Sequence, residues 1–252
     1  MQYFVEKDSI VREIWGKSDT ILFIFAGGAA EFALNKAVDW LYYTGKLPSD
    51  PIGRLFSTVN YAKRIVFAPR QEAEKAIATM AKIHENLESS RGYKIPSWAY
   101  RDVLYMLIHY SIASYELLER KLSLAEKEEV FNVFYRVGKG MDLQDLPGGY
   151  RQWQPDRQTH LQNNLERSAF TKDLYRQYKR QLGPFRYRLL IEAQLLVAPA
   201  EVIKLLKFRK TSFLLPAVPL YKLCRKCKLD GLVKTLLLPS EYKKQIAGLD
   251  IQ

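Results

Sequence analysis

Histidine is scarce in this sequence: His84, His109 and His160 are the three present in 252 residues. That limits the chemistry available. The zinc-protease helix motif His-Glu-x-x-His is absent, because His84-Glu85 is followed by Glu88 where the second histidine would stand. A Ser-His-Asp triad has no nucleophile-elbow motif to sit on, and neither a Gly-x-Gly-x-x-Gly run nor a Walker A loop occurs. Cysteine is limited to Cys224 and Cys227. This excludes a disulfide framework and a four-cysteine zinc site. Basic residues inside Cys224-Arg225-Lys226-Cys227 favour a lowered thiol pKa. With no second Cys-x-x-Cys and no βαβ context, no redox or metal role is assigned to the pair.

Long apolar runs are also missing. Ile21 to Leu34 is about 14 residues and already contains Glu31, whereas a membrane-spanning helix needs roughly 20. Phe213 to Leu223 is shorter and holds Pro216 and Pro219. Met1 is followed by no basic segment, apolar core or cleavage site of the secretory kind, so a cytoplasmic, reducing setting is the default expectation. No alternation of period two persists for five residues, which argues against a sheet.

What is present is a core-forming, basic chain: 48% hydrophobic, with 39 Lys+Arg against 27 Asp+Glu, net +12. Residues 1–150 hold 19 of each sign, so the remaining 20 basic and 8 acidic residues place the entire excess in 151–252. Helical periodicity dominates. Ser9 caps a short helix from Ile10 to Lys17, and Asp19 opens an apolar stretch to about Thr44. Within it, Gly27-Gly28 weakens the helix or lets a backbone or flat ligand approach. Asp50-Pro51 starts a helix to about Phe67. Gln71 to Glu88 carries Ala73, Ala76, Ile77, Met80, Ile83 and Leu87 on one stripe. Ser97 caps a helix to about Lys121, and Ser123 with Glu126 forms a capping box for one reaching Gly138. The pattern lapses from Gly140 to Pro155. Helices are expected again near 156–166, 168–182, 185–197, 199–208, 212–224 and 240–247. The fold class is all-α: a single multi-helix domain over 1–252, with 151–252 as a basic C-terminal layer.

His84 lies on the apolar stripe beside Ile83 and Leu87. It reads either as a core-edge histidine bonded to a carbonyl or carboxylate, or as an axial ligand to a haem iron, for which one imidazole suffices. His109, seven residues after Asp102 on the same helix face, is a packed histidine or a pocket residue. His160, in a basic polar stretch, reads as a surface residue. Arg54 and Thr58 stand one turn apart on an otherwise apolar helix; Arg54 is either paired, with Asp50 at hand, or a pocket cation. Asp39 and Glu31 are helix-surface or paired carboxylates, or a proton acceptor in a pocket. Phe56 and Trp40 are core aromatics or pocket walls.

Two stretches resemble a known family. Glu31-Phe32-Ala33-Leu34-Asn35-Lys36 to Val38-Asp39-Trp40-Leu41, and Leu47-Pro48-Ser49-Asp50-Pro51-Ile52-Gly53-Arg54-Leu55-Phe56-Ser57-Thr58, are similar to the oxygenases that include the mycophenolic acid pathway oxygenase and the bacterial latex-clearing (rubber) oxygenases. The most specific run is Asp-Pro-x-Gly-Arg-Leu-x-x-Thr. Ile83-His84 and the long helix bearing His109 extend the resemblance, which covers roughly residues 9–150 well. It implies a helical fold around a b-type haem, and dioxygen cleavage of isoprenoid double bonds. By motif position, His84 is the proximal iron ligand, and Arg54 and Thr58 lie on the distal side as catalytic residues; on its functional reading, His109 is a further cofactor-pocket residue. The rubber oxygenases carry a lysine where Ser57 stands, so a lysine-closed resting state is not expected. They carry an arginine where Glu88 stands.

Residues 204–238 interleave Lys204, Lys207, Arg209, Lys210 and Lys222–Lys228 with Phe213-Leu214-Leu215 and Leu236-Leu237-Leu238. No nucleic-acid motif occurs there. Basic residues toward anionic lipid with Leu and Phe entering the acyl boundary would suit a lipid-handling protein. The expected function is therefore a haem b oxygenase acting with dioxygen on a hydrophobic, unsaturated lipid or isoprenoid-like molecule. The alternative is a haem- or lipid-binding helical protein without turnover, docked on an anionic membrane.

Overall fold

The computed structural model describes residues 2–43 and 49–226, with the side chains of residues 51, 52, 54–56 and 226 outside the description. Among the described residues the regular structure is helical, with two isolated β-bridges and no sheet. The helices are α1 (Ile10–Trp15), α2 (Ser18–Phe32), α3 (Asp39–Tyr43), α4 (Pro51–Val66), α5 (Arg70–Arg91), α6 (Ser97–Leu118), α7 (Leu124–Gly140), α8 (Tyr150–Asn163), α9 (Ala169–Val197), α10 (Ala200–Leu206) and α11 (Ala217–Lys226).

The capping chemistry explains most starts. The Ser9 hydroxyl accepts from the Val11 amide at 3.1 Å, and an Asp50 carboxylate oxygen accepts from the Gly53 amide at 2.8 Å. Ser123 and Glu126 form the reciprocal capping box of α7; each such cap is worth about 1 kcal/mol. Ser97 is not a cap but the first residue of α6, with Pro96 before it. The apolar stretch after Asp19 is broken: α2 ends at Phe32 and the chain turns before α3. The 140–155 lapse hides the start of α8, which begins at Tyr150 and carries Pro155 inside it. Its buried apolar positions, Tyr150, Trp153 and Leu161, are interrupted by Arg157 and His160, so the stripe is short of apolar residues. The expected break between 182 and 185 is a kink within α9, where Gly183 takes φ 71°, ψ 169° ahead of Pro184. The helix expected at 240–247 lies outside the described residues.

Helix α6 is the axis. It is buried along most of its length and is contacted by α1, α2, α7, α8, α9 and α11, with α2 its most extensive partner. The close approach of α2 to α6 depends on Gly27. A Cβ there would stand 2.2 Å from the Tyr110 ring, so the gap left by Gly27 is filled by Tyr110 from α6, while Gly28 has open space beside it. Trp15, Ile14, Ile21, Ile24, Tyr105, Ile108 and Phe131 form the fully buried centre.

Helix α5 is amphipathic over its whole length but buried only in its first half, at Ala73, Ala76 and Ile77. In its second half the stripe emerges: Ile83 is 46% exposed and His84 is half-buried. At the other end of the molecule, α11 straps α2 to α6. Arg225 Nε lies 3.1 Å from Asp19 and its guanidinium also reaches Glu119, while the Tyr221 hydroxyl donates to Asp19 at 3.0 Å. Lys222 and Arg225 therefore point inward, onto Glu119, and apolar side chains point out: Leu220 on α11 is 63% exposed and Phe213, just before it, is 78% exposed. No helix among the described residues is long and apolar enough to cross a membrane.

Candidate active site

His84 stands two turns before the end of α5. Its Nδ1 lies 2.8 Å from the backbone oxygen of Met80, one turn back. A carbonyl can only accept, so in the neutral imidazole the proton sits on Nδ1 and the lone pair of the ring is on Nε2. This is the tautomer that a metal-binding imidazole needs, with the remote nitrogen held by a backbone carbonyl. Across from it, the Tyr100 ring packs edge-on at 5.3 Å between centroids. The Tyr100 hydroxyl and the Ile95 amide both donate to Glu88 Oε1 at 2.9 Å, tying the loop between α5 and α6 to the last turns of α5.

Helix α3 closes the end of this region. Arg91 lies 2.6 Å from Asp39 and 4.2 Å above the Trp40 ring. Trp40, Ala37 and Ala99 form a small buried cluster against Leu87, Ile95 and Trp98. Asp39 is thus a paired carboxylate and Trp40 a packed aromatic.

On α4, Thr58 is half-buried and Ser57 exposed. The side chains of Arg54 and Phe56 lie outside the described residues, and Asp50 is engaged with the Gly53 amide. A three-residue connection, Phe67 to Pro69, joins α4 to α5. Counting along each helix from that connection, Arg54 is about 18 Å up α4 and His84 about 21 Å up α5 at 1.5 Å per residue.

His109 is elsewhere. It follows Tyr100 by nine residues, two and a half turns of α6, and so lies on the opposite face from the ring that touches His84. Its neighbours are Arg157 and the backbone of Val197, and its Nε2 is buried without a hydrogen-bond partner among the described residues. Burial, followed by the Arg157 charge, pushes its pKa down to about 3. Arg157 itself is paired. Both its terminal nitrogens reach the Glu31 carboxylate at 2.5 Å, and the Tyr110 hydroxyl donates to Glu31 at 2.9 Å. Burial opposes the guanidinium charge, but Glu31 more than offsets it and the Arg157 pKa is raised. Burial and the Glu31 charge together raise that of Tyr110.

His160 is a correction to the sequence reading. It is buried, 8% exposed, with Nδ1 hydrogen-bonded to Asp102. Asn35 donates to the same carboxylate at 2.8 Å and Asn164 at 3.1 Å. Asp102 therefore serves His160 on α8 rather than His109 on its own helix. The signal was the spacing: Arg157, His160 and Leu161 share one face of α8 with Asn164 at its C-cap, and Glu31 in the last turn of α2 is followed four residues on by Asn35 in the turn beyond it. Polar residues matched to polar residues leave no hydrophobic stripe, and the reading missed them for that reason.

Among the described residues no group of three or more His, Cys, Asp or Glu side chains is arranged to hold a metal ion. Cys224 is a free, half-buried thiol, and Cys227 lies outside the described residues.

Searches among curated proteins and among solved structures find no match. The family model described as ER-bound oxygenase mpaB/B'/Rubber oxygenase, catalytic domain, matches residues 15–228, a span that contains Arg54, Thr58, His84 and His109. The chain belongs to this family of oxygenase catalytic domains.

Proposed function

We propose that this oxygenase is haem-dependent, that His84 is the protein ligand to the iron, and that its substrate is an unsaturated lipid or isoprenoid-like molecule. The observation that carries the reading is the His84 Nδ1 to Met80 carbonyl bond, which makes Nε2 the lone-pair nitrogen on an apolar helix face left partly uncovered. A lone imidazole fits a tetrapyrrole iron, which would bring four of its ligands with the cofactor, and does not fit a bare zinc ion. Bound haem would supply the iron that activates dioxygen.

The chain's own residues do the rest. His84 holds the cofactor and Met80 fixes its tautomer. Arg54 and Thr58 supply a permanent cation and a hydroxyl donor one turn apart, suited to stabilise negative charge developing on oxygen. Ile83 and its apolar neighbours offer the hydrophobic contact that an isoprenoid chain requires. His109 has the alternative lone-pair imidazole, but it faces the Arg157 cation, which disfavours a metal ion there.

The test is oxygen uptake by the haem-loaded protein with unsaturated fatty acids and polyisoprenoids, followed by detection of carbonyl products. Turnover that falls at least tenfold in Arg54→Leu and Thr58→Val supports the reading. Haem loading without uptake on any such substrate favours the second reading, a haem- or lipid-binding protein without turnover. That reading adds docking on anionic membrane, supported by the outward Phe213, Leu215, Leu220 and Leu223 beside exposed Arg209 and Lys210.

A further inference from the structure

Glu88 lies one turn beyond His84 on α5, on the same side of the helix. One oxygen of its carboxylate receives two hydrogen bonds at 2.9 Å, from the Ile95 amide in the connecting loop and from the Tyr100 hydroxyl on α6. The Tyr100 ring meets the His84 ring at 5.3 Å with 71° between their planes. His84 is thus held on two sides. Met80 fixes one ring nitrogen along its own helix, and Tyr100, anchored by Glu88, restricts rotation of the imidazole plane. The same anchor sets a carboxylate one helical turn from the imidazole.

We propose that Glu88 and Tyr100 are positioning residues for His84: Glu88 locks Tyr100, Tyr100 locks the imidazole, and the Glu88 charge sets the electronic character of the group His84 binds. The proposal rests on the reading of His84 as the haem ligand for its electronic half only. The geometric half stands without any cofactor. Supporting partners of a ligand histidine commonly govern affinity by 10- to 100-fold. A carboxylate near the iron stabilises the higher oxidation state, by Coulomb attraction in a partly desolvated site.

Two measurements test it. In the cofactor-free protein, the His84 ring resonances in carbon–proton spectra should feel the Tyr100 ring current. Tyr100→Leu should move them, and Glu88→Ala should move them the same way by releasing Tyr100. His84 resonances that stay in place in Glu88→Ala overturn the positioning role and leave Glu88 as a loop brace. In the haem-loaded protein, Glu88→Gln keeps an acceptor oxygen for Tyr100 and Ile95 but removes the charge. The iron(III)/iron(II) midpoint should rise in this variant, while Tyr100→Leu should lose roughly tenfold in haem affinity. An unchanged midpoint in Glu88→Gln overturns the electronic half, and an unchanged haem affinity in Tyr100→Leu overturns the role of Tyr100 in holding the haem ligand. Wild-type protein that takes up no haem refutes the ligand assignment and with it the electronic half, while the resonance measurement still decides the positioning half.

Discussion

Gly27 on α2 and Tyr110 on α6 are in such close contact that a methyl group at Gly27 would stand 2.2 Å from the Tyr110 ring. The same tyrosine donates its hydroxyl to Glu31, one turn further along α2. One side chain therefore sets both the spacing of the two central helices and one end of the buried Glu31–Arg157 pair. Gly27→Ala should destabilise the fold by about 1–3 kcal/mol through overpacking. Gly28→Ala, at a position with nothing within 4 Å of the added carbon, should be neutral or stabilising by up to about 1 kcal/mol from helix propensity. Urea unfolding of the two variants checks the contrast, and equal effects would contradict it.

Arg157 and Glu31 are a pair whose members depend on each other. Their side chains are 5% and 1% exposed. Arg157→Leu leaves a buried carboxylate uncompensated, and the expected loss is about 3–5 kcal/mol. The double variant Glu31→Leu with Arg157→Leu removes both charges and should recover part of that loss. A double-mutant cycle in denaturant measures it; strictly additive losses would refute the coupling.

His109 should make stability depend on pH. Its folded pKa is about 3, against 6.5 for the ordinary imidazole, chiefly because burial disfavours the charged ring. The unfolded chain then binds the extra proton between these values. Stability from this group is complete above about pH 6.5 and is lost as pH falls toward 3, with a slope of at most about 1.4 kcal/mol per pH unit. A variant His109→Gln should flatten the stability–pH profile between pH 6.5 and 4.5 relative to wild type. Parallel profiles would show that His109 is not the group responsible.

The outward apolar residues before and along α11 give a prediction about surfaces. If they enter the acyl boundary, vesicles containing anionic lipid should sediment the protein at low salt. Phe213→Ser with Leu220→Ser should reduce that binding at least several-fold without altering the circular dichroism. Binding that vanishes with salt yet ignores both substitutions would assign it to charge alone.

How much of this was legible before the fold was known differs by element. The capped helices α1, α4 and α7 were readable, because Ser9, Asp50 and Ser123 announce themselves through side-chain chemistry local to a few residues. The all-α class followed from periodicity. The start of α8 was not readable, since Gly148-Gly149 and Pro155 around it are turn chemistry and the apolar positions Tyr150 and Trp153 are followed on the buried face by Arg157 and His160, whose partners Glu31 and Asp102 are more than fifty residues away in sequence. His84 was legible as a candidate because it lies on an apolar stripe. Its support by Glu88 and Tyr100 was not, because nothing in the sequence says that the loop after Gly92 folds Tyr100 back onto α5. The orientation of α11 was likewise hidden: charge count showed a basic segment, and only Asp19 and Glu119 show which way its cations turn.

The most direct test of the account compares absorption spectra of wild type, His84→Ala and His109→Ala after addition of ferric haem and removal of the excess. A Soret band in wild type and His109→Ala, lost or shifted in His84→Ala, is the result the account predicts. A band that survives in His84→Ala and disappears in His109→Ala, or no band in the wild-type protein, would contradict it.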